Sequence, residues 1–292
     1  MSSIILAIAA AAVFGCGVAL QQSAAAERPD SEAFRPGLLV GLARRPRWRL
    51  GLLADIVGFG LQAAALRQGS LVVVQPILTL ALVFALWIAA TLNHTKIQRA
   101  DWMAVAVVLS GLTLFGVAAE PSETSVGVAS PSAWFVCTML VVGVTALLGG
   151  IALGTRGARR AVLLAIAAGT GEAFMATVTK AFVGHLDDRG WAVLNSWEPY
   201  ALIAVGVAVM LVVQSAYQAG HPKLLLPIIT VVDPIPGSLM GAALFHEHLR
   251  LGGGRALLVM LAIGLMTVGI ARLGRSPSLV GDDASADLGV SG

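Results

Sequence analysis

Charge is what this chain has least of. Only 12% of its 292 residues are Asp, Glu, Lys or Arg, about half the share usual in a soluble domain. With 57% apolar residues and a mean hydropathy of +0.85, the chain has too little polar surface to face water. The bilayer is the expected solvent. Cysteine is almost missing as well. Cys16 and Cys137 both lie inside apolar runs, without metal-ligand spacing or a loop position that favours a disulfide, and read as packed thiols. The net charge of +3 is small and no basic run is interleaved with aromatics, so nucleic acid is not an expected partner. No glycine-rich phosphate loop, nucleophile elbow or paired-carboxylate motif is present. An enzyme is therefore not expected, and neither is a cofactor.

What remains is a series of long apolar segments. A spanning helix needs about 20 mostly apolar residues, and nine segments qualify: 3–22, 49–67, 70–92, 101–119, 132–154, 161–183, 199–219, 223–245 and 255–273. The expected fold class is all-α, a polytopic membrane protein. Very short connections between the second and third segments, and between the seventh and eighth, predict tight helical hairpins. The first segment has no basic flank before it, and only Ala24-Ala25-Ala26 imitates a cleavage site. It is expected to stay as a helix rather than leave as a signal peptide.

The segments are doubled. Leu6-Ala7-Ile8-Ala9-Ala10 returns as Leu164-Ala165-Ile166-Ala167-Ala168, an offset of 158. Gly69 to Leu78 returns loosely as Gly220 to Ile229, an offset of 151. Segments one to four match six to nine, and the fifth is left over. Basic residues concentrate on the cytoplasmic side of membrane proteins. Placing the N-terminus outside leaves only Arg67, Arg189, Arg250 and Arg255 outside and Lys180 within a helix, with the other fourteen of the nineteen Lys and Arg inside. The layout is then N-out/C-in, and the odd fifth helix makes the two repeats inverted, the architecture of alternating access. The expected divisions are 1–119 (first repeat), 120–154 (outer loop and connecting helix), 155–273 (second repeat) and 274–292 (a disordered cytoplasmic tail). Within 23–48, the stretch 38–42 could lie on the inner surface with Arg44, Arg45 and Arg47 among headgroups, but an ordinary positive-inside loop is the leading reading.

Ionisable residues inside a membrane are costly and are functional candidates by default. Here they are Asp55, Glu172, Asp233 and Lys180. Gly169, Thr170 and Gly171 flank Glu172, so another helix can approach it closely. Asp233 opens Asp233-Pro234-Ile235-Pro236-Gly237, whose prolines kink or unwind a helix beside a carboxylate. Asp55 lies about two turns from the Arg-rich inner edge and could reach back to Arg49. Lys180 stands eight residues from Glu172, about 12 Å along a helix, and is expected to snorkel outward toward Asp187 or Asp188. The amides Gln62, Gln75 and Gln214 could bind substrate or tie helices together. His246-Glu247-His248 lacks zinc-ligand spacing and reads as a solvated helix end.

Gly69 to Leu78, Pro227-Ile228, and the run from Pro236-Gly237-Ser238-Leu239-Met240-Gly241 to Phe245-His246-Glu247-His248-Leu249 resemble the drug/metabolite transporter (EamA-like) superfamily over roughly residues 3–273. Members commonly have ten helices in two inverted repeats of five. Nine helices, as four plus one plus four, are similar to the NIPA-type magnesium transporters of that superfamily. The resemblance implies a cell-membrane permease (plasma or inner membrane) that moves a small metabolite or drug, coupled to protons. The alternatives are a divalent-cation transporter and a non-transporting scaffold or accessory subunit. Expected partners are the lipid bilayer, a small-molecule or ion substrate and a second copy in a homodimer.

Overall fold

The computed structural model describes residues 2–25, 36–92, 97–119, 129–219, 222–245 and 254–273. Its elements are α1 (Ser2–Ala25), α2 (Pro36–Ala43), α3 (Pro46–Gln68), α4 (Leu71–Leu78), α5 (Ala81–Leu92), α6 (Arg99–Ala119), α7 (Pro131–Leu153), α8 (Gly157–Arg189), α9 (Glu198–Ala219), α10 (Pro222–Val232), α11 (Pro234–Phe245) and α12 (Arg255–Leu273), with a 3-10 turn at Gly190–Asn195. Every regular element among the described residues is helical.

Prolines and glycines place the helix ends. Pro46, Pro131 and Pro234 each stand at a first helical position, where no amide hydrogen is needed and φ is already helical. Ser130 caps α7, its Oγ accepting the Ala133 amide at 3.3 Å. Gly190 closes α8 at φ 57°, a conformation open to glycine.

Among the described residues seven helices are long and apolar enough to cross a membrane: Ser2–Gln21, Pro46–Gln68, Arg99–Ala118, Pro131–Leu153, Gly157–Asn195, Glu198–Ala219 and Ile228–Phe245. The expected count of nine differs at two places. Segment 70–92 is not continuous. Just after Pro76 its ladder changes to i→i+3 bonds, with Leu80, Leu82 and Val83 amides donating to Ile77, Thr79 and Leu80 carbonyls at 3.0, 3.0 and 2.9 Å, and the helix divides into α4 and α5. The last segment contributes a shorter apolar stretch, Arg255–Gly269. The eighth segment is also broken, at Asp233, because Pro234 and Pro236 remove two amide donors from the ladder. Stretch 38–42 falls within α2, which packs on α3 and α9. His246-Glu247-His248, residues 120–128 of the outer loop and the tail from 274 lie outside the described residues.

The pairings run in parallel through the chain. α1 lies along α3 and against α4 and α5; α8 lies along α9 and against α10 and α11. α4 touches α11, and α6 pairs with α12. The α6–α12 contact is reciprocal. A methyl group on Gly111 would stand 2.8 Å from the Ala262 carbonyl oxygen and 2.8 Å from Met266, and one on Gly269 would stand 2.9 Å from the Ala104 carbonyl and 2.6 Å from Val108. Residues 104, 108 and 111 are each 158 positions before 262, 266 and 269, so equivalent residues meet each other's partners as in an isologous interface. α7 packs on α8 and α11 only along one side. Its other faces leave Phe135, Leu140 and Leu147 more than 60% exposed, as lipid-facing side chains are.

Candidate functional site

One face of each central helix contributes to a common cavity of about 230 Å³. On α1 the lining residues are Phe14, Val18 and Gln21; on α3, Asp55, Phe59 and Gln62; on α8, Glu172, Met175 and Ala176. Each set follows the three-to-four residue spacing of a helix face. α4 adds Gln75 and Leu78, its break adds Thr79, α9 adds Val213 and Tyr217, and α10 with the break after it adds Ile229, Thr230 and Asp233. The cavity lies between two apolar clusters. Leu78 and Ala176 belong to one, Val213, Tyr217 and Ile229 to the other.

The three intramembrane carboxylates meet here although they come from three separate elements. Glu172 is half-buried and accepts no hydrogen bond among the described residues, so its carboxylate is available to the cavity. It lines the same cavity as Asp55 and Asp233. Asp233 is buried and accepts from Gln75 Nε2 at 3.3 Å. The Gln75 amide turns its nitrogen toward Asp233. The Gln75 Oε1 is then a buried acceptor with no partner among the described residues, on a side chain only 1% exposed.

Asp55 is held differently. Gln21 Nε2 donates to Asp55 Oδ2, and Gln214 Nε2 donates to Gln21 Oε1 at 2.5 Å. The donors all run toward Asp55, a polar chain that links α9 to α1 to α3. The expected reach of Asp55 back to Arg49 is replaced by this contact. The cause is close approach: a methyl on Gly51 would lie 2.9 Å from the Gly17 carbonyl, and one on Gly17 would collide with Asp55 Oδ1 itself. Only glycine at both positions lets α1 and α3 come near enough for Gln21 to reach the carboxylate.

Of the expected site residues, Asp55, Glu172, Asp233, Gln62 and Gln75 line the cavity. Gln214 stands behind Gln21, fully buried. Lys180 is not among the residues that line the cavity. It is 6% exposed, and its Nζ lies 5.1 Å from the centre of the Phe245 ring, a cation–π contact. Asp187 binds Arg67, with Nε at 2.9 Å and Nη2 at 2.5 Å. Around Lys180 an aromatic group closes that end of the bundle: Trp134 meets Trp197 at 4.9 Å and Phe245 at 6.2 Å, both edge-on. Gln21, Tyr217, Thr79 and Thr230 are cavity residues not singled out from the sequence. Gln21 shares a helical stripe with Phe14 and Val18, which is the signal that could have found it.

No family model matches the chain, and no solved structure matches it. It is similar to an uncharacterized protein of Corynebacterium glutamicum, 27% identical over 288 residues, covering 94% of this chain and 96% of that protein. The likeness runs over nearly all of both chains and carries no named activity.

Among the described residues no Lys, Arg or His lines the cavity, whereas three carboxylates and three amides do. In a low-dielectric setting such a cluster requires positive compensation, from protons or from a cationic cargo. Among the described residues no group of three or more His, Cys, Asp and Glu is arranged to hold a metal ion.

Proposed function

We propose that the chain is a multi-pass permease of the plasma or inner membrane, of the drug/metabolite transporter type, which exchanges a small solute for protons by alternating access. The observation that carries this reading is the single cavity in which carboxylates from α3, α8 and the α10–α11 break converge. Breaks in the third segment of each repeat support it, since discontinuous helices at related places in two halves mark transporter binding sites. The paired packing of α1 with α3 and of α8 with α9, and the reciprocal α6–α12 contact, support two related halves that can rock against each other. Glu172 is the coupling residue in this reading, taking a proton or the substrate in turn. Asp233 and Gln75 hold the substrate's other end, Asp55 and Gln62 shape the cavity, and Gln214 supports Asp55 through Gln21.

The test is flux in proteoliposomes loaded with a pH-sensitive dye. Addition of a transported solute should collapse or create a pH gradient with the wild type, and Glu172→Gln should abolish the proton signal. Equal proton-linked flux in wild type and Glu172→Gln would sink the coupling assignment. The divalent-cation alternative is less well supported, because the carboxylates do not form a metal-type cluster and hard cations want about six or more convergent oxygens. The scaffold alternative predicts that neutralising Glu172 and Asp233 together leaves function intact in cells.

A further inference from the structure

We propose that the cavity takes a short aliphatic diamine, one ammonium held by Glu172 and Asp55 and the other by Asp233 and the Gln75 amide oxygen. The inference rests on the permease reading, since it names that permease's cargo. It starts from how the carboxylates are held. Gln21 of α1 holds Asp55 and Gln75 of α4 holds Asp233, so the cavity has two separately tethered acidic poles, with Glu172 of α8 lining the same space. A point cation can satisfy one pole and leaves the other uncompensated. Two positive groups joined by a chain satisfy both.

The acceptors have the matching chemistry. Gln75 Oε1 is buried and unpartnered among the described residues, on a side chain that lines the cavity beside Asp233. The Glu172 carboxylate accepts no hydrogen bond there either. An ammonium carries three donors and no acceptor, so it fits a site where three carboxylates and an unpartnered amide oxygen gather with no Lys, Arg or His among the described lining residues. Much of the remaining wall is hydrocarbon and thioether, including Val18, Met175, Ala176 and Val209, which suits methylene groups and not a hydrated metal ion. Size agrees. A cavity of about 230 Å³ is below the roughly 300–1,000 Å³ of drug-sized sites. At about 30 Å³ per molecule of liquid water, it holds on the order of eight non-hydrogen atoms, enough for two amines and a short chain. Two ammoniums compensate two of the three negative charges, and the third is left for a proton.

The experiment is calorimetric titration of the full chain in nanodiscs with diaminobutane, butylamine, butanediol and magnesium chloride. Diaminobutane should bind at least about tenfold more tightly than butylamine, the difference expected of one additional charge-assisted contact, while butanediol and magnesium chloride should not displace it. Gln75→Leu should bring diaminobutane down to the butylamine level and leave butylamine unchanged, and Glu172→Gln should weaken both. Equal affinity for diaminobutane and butylamine in the wild type, displacement by magnesium chloride, or equal weakening of both amines by Gln75→Leu would overturn the inference. The wild-type series decides even if a variant fails to fold. In proteoliposomes the two readings separate. Proton-linked flux of another solute without diaminobutane binding overturns the cargo and leaves the permease. Tight diaminobutane binding without flux of it overturns the permease and leaves the site.

Discussion

At the scale of single residues, a few atoms decide whether the cavity keeps its shape. Gly17 is the clearest case, because a methyl there would overlap Asp55 Oδ1. Gly17→Ala should force Asp55 off Gln21 and cost about 1–3 kcal/mol, the usual penalty of overpacking, read as a lower melting point of the detergent-solubilised protein. Gly60→Ala, with nothing within 4 Å of the added methyl, should melt like the wild type. Asp55→Ala removes an acceptor from a polar chain that spans three helices. Interhelical hydrogen bonds in membranes average about 0.6 kcal/mol and reach about 1.7, so its effect on melting should be smaller than that of Gly17→Ala. A melting point lower for Asp55→Ala than for Gly17→Ala would contradict this ordering. The list of intramembrane charges could be read directly from the sequence, because so few exist. Their partners could not. Lys180 was expected near Asp187 or Asp188 from spacing along one helix, but Phe245 and Arg67 come from elsewhere in the chain, and spacing carries no information about them.

At the scale of elements, the broken helices and the α6–α12 pair are where motion and stability divide. Pro234→Ala restores an amide donor to the ladder. It should raise the melting point and lower the transport rate, because a ladder left with only the Pro236 gap flexes less at Asp233. A variant that is both stabilised and fully active would remove the break from the mechanism. Gly111→Ala and Gly269→Ala place a methyl against equivalent surfaces, each within 3 Å of a backbone carbonyl. The two should destabilise by similar amounts, about 1–3 kcal/mol each, and a large difference between them would count against equivalent halves. Helix existence was legible from hydropathy, since lipid requires every backbone group to be bonded within its own segment. The break of 70–92 was harder to see. Pro76 signals a weak ladder, but the switch to i→i+3 bonds at Thr79 and Leu80 depends on what packs around it.

At the scale of the whole molecule, the N-out/C-in layout and the crossing of the third segment remain separate questions with one measurement. Cys16 and Cys137 are replaced by alanine and single cysteines are introduced at Gly69, Gln98, Ser132 and Arg156. In intact cells an impermeant thiol reagent should label Gly69→Cys and Ser132→Cys, and should reach Gln98→Cys and Arg156→Cys only after permeabilisation. Labelling of Gly69→Cys and Gln98→Cys from the same side would show that α4 and α5 together do not cross, and would leave an eight- or seven-helix layout in place of nine.

The sequence by itself determined the apolar character, the helical class and the short inventory of charge within apolar segments. These follow from composition and local periodicity, which act within one segment at a time. Only the tertiary structure decided that Asp55, Glu172 and Asp233 share one cavity, that Gln21 holds the first of them while Gln75 holds the last, and that Lys180 stands apart. The physical reason is that a helix face fixes where a side chain points along its own axis, while the neighbour it meets is set by how closely two backbones pack, and at Gly17, Gly51, Gly111 and Gly269 that distance is set by a side chain that is not there.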